Sequence, residues 1–229
     1  MKVKYIILGI FLLSSFSAVA QVGELRNNWS VGINGGVNLN SLRIDPNAGK
    51  EIPGIKQKMP MGINGGITAR YISEKYFAMI CGVQLELNYS QRGWEEDTEG
   101  FSYKYSRTMN YLEMPFLAHL AFGRDRGAQF FLNLGPQLGY LISEKEHFEG
   151  DWQSVGAKQH GKPADKRFDY GIVGGGGLEI RTGAGNFLLE GRYYFGFADF
   201  FNNRKQDYFA NSAHTTIQIK LSYLFDITK

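Results

Sequence analysis

The chain has 229 residues, with 25 Lys and Arg against 22 Asp and Glu, a near balance that argues against a nucleic-acid or other polyanion binder. Glycine, at 29 residues, exceeds its usual share of about 7%, while aromatics reach 14% and proline only six residues. That mixture fits one β-rich domain and excludes a disordered chain. Cys81 is the only cysteine, so no intrachain disulfide is available, and its apolar phase reads as that of a small hydrophobe.

Lys2 and Lys4, the apolar run from Tyr5 to Phe16 and the triplet Ala18-Val19-Ala20 are the three parts of a secretory signal peptide. Residues 1–20 are therefore expected to be removed, leaving a mature domain of residues 21–229 that starts at Gln21. Lys2 and Lys4 leave with the signal, so 23 basic residues remain against 22 acidic ones. The apolar run is shorter than the roughly 20 residues of a spanning helix, and no cysteine follows the cleavage site to carry a lipid anchor. Past residue 21 no run could make a spanning helix, so any membrane crossing must use β-strands.

Eight alternating segments follow. The first, Trp29 to Leu39, and the second, Met61 to Tyr71, share a pentapeptide: Gly32-Ile33-Asn34-Gly35-Gly36 reappears as Gly62-Ile63-Asn64-Gly65-Gly66. Ile72 to Lys75 reads as a tight connection into the third, which runs from Met79 to Ser90. An acidic segment, Trp94 to Gly100, leads to the fourth. There Phe101, Tyr103 and Tyr105 hold the odd phase, but from Leu112 onward the apolar residues are even, which predicts a β-bulge between Met109 and Pro115. Gly123 to Gly127 turns into the fifth, Phe130 to Ile142, and Glu144 to Arg167 is the longest polar segment. The sixth starts at Phe168, the seventh at Phe187, and the eighth spans Thr215 to Phe225. Connections after even strands are short and those after odd strands long, with an even strand count. The expected fold is therefore all-β, an eight-stranded antiparallel up-and-down transmembrane β-barrel in the bacterial outer membrane.

Threading the strands collects Trp29, Tyr71, Tyr76, Phe77, Phe122, Phe130, Phe187, Tyr223 and Phe225 at the periplasmic ends. Tyr89, Tyr103, Tyr105, Tyr140, Tyr170, Phe195 and Phe197 collect at the other, giving two aromatic girdles around an aliphatic band. The polar phases then point inward with Arg70, Glu86, Glu113, Glu179, Arg181, Glu190, Arg192 and Lys220, four charges of each sign. An eight-stranded barrel is only wide enough for side chains to fill it, so these residues are expected to form a compensated network that plugs the lumen. Between the sixth and seventh strands a Gly185-Asn186 turn would set Arg181 opposite Glu190 and Glu179 opposite Arg192. A turn on Ala184-Gly185 would instead oppose Glu179 and Glu190, and like charges disfavour it.

The run Asn110-Tyr111-Leu112-Glu113-Met114-Pro115-Phe116, the pairs Gly135-Pro136 and Gly139-Tyr140, and the glycine-rich Gly171 to Gly177 resemble the PorT-type outer-membrane β-barrel family, the small "porin family" barrels of Bacteroidetes-type bacteria. Gly35-Gly36-Val37-Asn38-Leu39-Asn40 and Leu221-Ser222-Tyr223-Leu224-Phe225 are similar as well, so the resemblance covers essentially the mature chain. It implies an eight-stranded outer-membrane barrel, and founding members are linked to protein secretion. The aromatic end resembles the signal read by the barrel-assembly machinery, with Asp226 to Lys229 trailing beyond it.

Motifs for catalysis are missing: the chain has no G-x-S-x-G, H-E-x-x-H, P-loop or paired-cysteine pattern. His119, on the inward phase with Glu113, reads as a satisfied interior histidine, since a His-carboxylate pair without a nucleophile fixes no reaction. His147, His160 and His214 match no metal spacing and are expected in solvent. The group Glu95, Glu96, Asp97 and Glu99 reads as a solvated acidic loop. The expected protein is thus a non-enzymatic, monomeric outer-membrane barrel without cofactor or metal. Its expected partners are membrane lipid and lipopolysaccharide, the assembly machinery during biogenesis, and secretion or envelope proteins met through the loops. The alternative is a soluble lipocalin-like barrel with its aliphatic face inward around a small hydrophobic ligand.

Overall fold

The computed structural model describes residues 24–46, 55–98, 104–124, 127–149, 161–202 and 209–227. The signal-peptide segment, Tyr103, His160 and Glu99 lie outside them. The strands are β1 (Glu24–Pro46), β2 (Ile55–Lys58), β3 (Met61–Tyr76), β4 (Met79–Thr98), β5 (Lys104–Gly123), β6 (Gly127–Glu149), β7 (Phe168–Thr182), β8 (Gly185–Gly196) and β9 (Phe209–Asp226). Every pairing is antiparallel. The order β4-β3-β1-β9-β8-β7-β6-β5 closes through β4–β5 into an eight-stranded ring, and β2 pairs with residues 95–98 of β4, on the edge of β4 that β3 uses as far as Ser90. No helix among the described residues is long and apolar enough to cross a membrane, so the strands must do so.

The strands overrun what the sequence pattern outlines. A tilted membrane strand needs about 9–11 residues, whereas β4 and β5 have 20 each and β6 has 23. The excess lies at the end opposite the short turns, where β4, β5 and β6 stay paired as far as Asp97, Lys104 and Glu149. The segment expected as an acidic loop, Trp94 to Thr98, is strand, as is the start of the expected long loop, Glu144 to Glu149. At the other end β3 continues through the expected Ile72–Lys75 connection and turns at Phe77-Ala78. A register irregularity places Ser73 as an extra residue, its hydroxyl donating to Cys81 O at 3.2 Å. Buried Ile72 then packs inside with Ile80 and Leu224.

The expected bulge in β5 is not there. Inward burial runs unbroken through Tyr105, Arg107, Met109, Tyr111, Glu113, Pro115, Leu117, His119 and Ala121. Leu85 pairs with Phe116 and Asn88 with Glu113 in one register, so Pro115 sits in a continuous strand. An irregularity does fall at Asn110/Tyr111, but the extra residue is Ile142 of β6. The apolar phase of β5 changes because its surroundings change: Leu112, Met114 and Phe116 face outward, while Tyr105, Met109 and Tyr111 are buried within.

The repeated pentapeptides prove to be partners. Gly35 pairs with Gly65, Asn34 with Gly66 and Gly36 with Asn64, so the two copies lie antiparallel across β1 and β3. Both asparagines point inward and are buried. Asn34 donates to Thr68 Oγ1 at 2.8 Å and Asn88 Oδ1 at 2.9 Å, and Asn64 donates to Asn38 Oδ1 at 2.6 Å. The glycine beside each gives room for close approach: a Cβ on Gly36 would fall 2.1 Å from Ile219 O.

The charged lumen and the aromatic mouth

Outside the barrel, Ile33, Ile67, Leu87, Phe116, Leu134, Leu178, Leu189 and Leu221 are exposed, and inside it buried side chains are largely polar. This is the reverse of a lipocalin-like arrangement. Trp29, Phe77, Phe122, Phe130, Phe187 and Phe225 are exposed towards the short-turn end, and Tyr89, Tyr140, Tyr170 and Phe197 at the other limit of the apolar band. Tyr105, expected in the second girdle, is instead buried inside.

The lumen is filled in three ionic layers. Nearest the short turns, Arg70 of β3 makes two 2.7 Å bonds to Glu179 of β7 across the barrel. His119 sits beside them, with Nε2 3.5 Å from Arg70 Nη1 and Nδ1 2.8 Å from Asn133 Oδ1. Asn133 Nδ2 donates to Glu190 at 2.8 Å, which turns its carbonyl oxygen to the imidazole. The hydrogen-bond network therefore assigns the ring proton to Nδ1 and leaves Nε2 as acceptor toward Arg70. Arg181 stands at the rim, its side chain 12% exposed, 3.7 Å from Glu179 and 3.4 Å from Asp226.

In the middle layer Glu86 accepts from Arg192 at 2.5 and 2.9 Å, Lys220 at 2.7 Å, Gln84 at 2.6 Å and Asn88 at 2.8 Å. Arg192 also reaches Glu190 at 2.7 and 2.8 Å. The third layer is Arg92, bonded to Glu113 at 2.7 Å and Asp169 at 2.6 Å, with Tyr194 donating to the same Asp169 at 2.8 Å. The guanidinium lies between the rings of Tyr111 and Tyr194, 4.8 and 4.4 Å from their centroids.

The structure thus brings together Arg70 with Glu179, and Glu86 with Glu190, Arg192 and Lys220. Glu113 finds Arg92, absent from the expected set, as is Asp169. The signal for Arg92 was available, because the inward parity of Gln84, Glu86, Asn88 and Ser90 continues to it. The expected cross-strand pairs Arg181–Glu190 and Glu179–Arg192 do not form. Thr182 pairs with Gly185, Arg181 with Asn186 and Glu179 with Leu188. The turn is Gly183-Ala184, held by the Thr182 hydroxyl, which donates to Gly185 O at 2.7 Å and accepts from Ala184 N at 3.2 Å. Electrostatics between neighbouring strands did not set this register because the charges are satisfied across the lumen. Glu190 and Arg192 sit opposite Gly177 and Gly175, where a Cβ would fall 2.0 Å from Leu189 O and 2.4 Å from Gly191 O.

Above Arg92 the interior becomes apolar. Leu42, Trp94, Tyr105, Met109, Tyr111, Leu141, Phe200 and Phe201 form one buried cluster with Ala164 packed on it. Phe200 and Phe201 come from residues 197–202, outside any strand. His214, expected in solvent, is buried: its Nε2 is 3.1 Å from Tyr111 Oη and its ring stacks on Phe200 at 5.1 Å. Glu96, expected in a solvated loop, is buried and accepts the Trp94 indole proton at 3.0 Å. Exposed His147 keeps its expected solvated place. Arg107 reaches Glu146 at 3.2 Å, Lys162 O at 2.8 Å and Glu144. Burial first, then the 2.6 Å bond to Glu146, pushes the Tyr105 hydroxyl well above the ordinary tyrosine range. Among the described residues no three His, Cys, Asp or Glu side chains are grouped to hold a metal ion.

Residues 19–202 match the family model described as "Outer membrane protein beta-barrel domain". Among solved structures, OprG of Pseudomonas aeruginosa is similar at 14% identity and a TM-score of 0.55, over 89% of this chain and 98% of that one. Ail of Yersinia pestis, solved with the heparin analogue sucrose octasulfate, aligns at 13% identity and a TM-score of 0.37, over 87% of this chain and 100% of its own. No curated protein matches the chain.

Proposed function

We propose, for a chain that belongs to the outer membrane protein β-barrel domain family and resides in the bacterial outer membrane, that it works as a non-enzymatic, closed barrel carrying an extracellular surface of strand extensions and loops. By the rule that short turns face the periplasm, the turns at Phe77-Ala78 and Gly183-Ala184 are periplasmic and the aromatic mouth is extracellular. One observation carries the reading: the lumen is crossed by ionic layers in which each guanidinium spans opposite walls, and Arg70, Glu86, Arg92, Glu179 and Arg192 are all at most 3% exposed. A path for ions would show one sign of charge in excess and room for hydration; here cations and carboxylates alternate within hydrogen-bond reach.

The finer reading follows the PorT-type resemblance: the extracellular part serves secretion or envelope assembly, in a monomer surrounded by lipopolysaccharide and delivered by the barrel-assembly machinery. Purified protein in planar bilayers should show no large steady pore, as a filled eight-stranded lumen requires. Stable openings on the order of a nanosiemens would overturn the closed-barrel reading.

A further inference from the structure

Two connecting segments roof the aromatic mouth. Residues 161–167 cross over to β6, where Leu141 N donates to Arg167 O at 2.7 Å, and residues 197–202 drop Phe200 and Phe201 into the cluster. The segments hold each other through Lys166 N to Phe200 O at 3.0 Å, and the second holds β9 through Phe200 N to Ser212 O at 3.1 Å. Of the other fastenings, Phe201 N donates to Ser212 Oγ at 3.0 Å and Arg107 donates to Lys162 O at 2.8 Å, while four share one chemistry, a carboxylate accepting a backbone N–H. Glu144 takes Ala164 N at 3.1 Å, Glu146 takes Gly161 N at 3.2 Å, Asp165 takes Asn202 N at 2.9 Å and Asp199 takes Ser212 N at 2.7 Å.

We propose that these segments form a single lid over the extracellular mouth, clasped by carboxylate-to-amide bonds and released by acid while the ionic layers beneath stay closed. A protonated carboxyl is a weaker acceptor and no longer attracts the cations around it. Those cations are Arg107, which faces Glu144 and Glu146, and Lys162, 3.0 Å from Asp165. Lys166 acts on Asp165 at longer range. The other charged or titratable groups packed at the mouth are Arg43 of β1, which donates to Gly196 O at 3.0 Å, Glu96 and Arg92 of β4, Tyr105 and Tyr111 of β5, and His214 of β9. Burial raises the Asp165 carboxyl, but the Asn202 amide and the Lys162 ammonium outweigh it and hold the group below the usual carboxylate range. A depressed carboxylate stabilises the closed lid above its ordinary pKa, and that contribution is lost as pH falls through its depressed value. Opening would uncover Trp94, Tyr105 and Met109, with Arg107 beside them.

Trp94 is a built-in reporter once Trp29 and Trp152 are replaced by phenylalanine. In detergent-solubilised full-length W29F/W152F protein, acrylamide quenching of Trp94 should rise by at least about twofold between about pH 7 and about pH 2, while heat-modifiable gel mobility shows the barrel still folded. Adding D165N, which keeps an amide oxygen for Asn202 but loses the charge facing Lys162, should raise quenching at pH 7 and shrink the acid-induced increment. Quenching that ignores pH, an unchanged profile in D165N, or acid that unfolds the barrel together with the lid would each overturn the proposal. Bilayer conductance should stay absent at about pH 2 as well, so failure of the lid and failure of the closed barrel register in different measurements.

Discussion

Along its axis the barrel contains two regions with opposite polarity. In the membrane-spanning part, Leu112, Met114 and Phe116 of β5 face out while Glu113 and His119 face in. In the extracellular extension of the same strand, Arg107, Met109 and Tyr111 fill the inside, and the paired outer face carries Ser106 and Thr108 beside Glu95, Lys145 and His147. The strand does not change; its solvent does. Lipid accepts aliphatic side chains and leaves the lumen to hold polar ones in pairs, whereas water outside the membrane reverses the preference and the interior becomes an ordinary aromatic core. Arg92 sits at the junction, with carboxylates on one side of its chemistry and the rings of Tyr111 and Tyr194 on the other.

The contrast breaks most severely at that junction. Arg92→Ala leaves Glu113 and Asp169 buried without their cation, and removal of one partner from a buried pair costs about 3–5 kcal/mol. The heat-modifiable folded band should be largely lost, and Arg92→Lys, which keeps the charge but cannot span both carboxylates, should recover only part of it. A folded, normally mobile Arg92→Ala barrel would mean that water or neighbouring groups satisfy the carboxylates.

Next in size is a test of the two outer faces. Leu134→Arg, at an exposed site within the apolar band, should destabilise the barrel in lipid by about 2–4 kcal/mol near the bilayer midplane. Ser106→Arg, on the outer face of the extracellular extension, should stay within about 0.5 kcal/mol. Equal costs in urea titrations from liposomes would place both sites in the same solvent.

The smallest effect on the whole barrel is expected from Phe201→Ala. It empties a large part of the aromatic mouth, with a local cost of about 3–5 kcal/mol for a buried phenylalanine. Because the ionic layers do not depend on that ring, the loss should remain local. Amide exchange should quicken at Ser212 and Leu141 while Val173 and Leu188 keep their protection; uniform quickening would merge the two regions into one cooperative unit.

Period-two alternation, the parity of connection lengths and the inward set of charges determined the barrel, its strand order and most lumen residues, because a membrane strand writes its two environments directly into alternate positions. The same rule misread the extracellular region. An apolar phase that switches from even to odd along β5 is equally what a bulge or a change of solvent produces, and only the continuous pairing of β4 with β5 across Pro115 decides between them. The pattern places His214 and Glu96 in solvent for the same reason, since polar residues near strand ends look like loop in sequence, whereas in the fold His214 stacks on Phe200 and Glu96 accepts from Trp94. Charge partners were likewise beyond the sequence. Alternation says which side chains enter the lumen, but Arg70 meets Glu179 over 109 residues of chain separation and Arg192 meets Glu86 over 106. Ring closure alone sets which walls face each other, and there a buried charge takes whichever partner its length can reach.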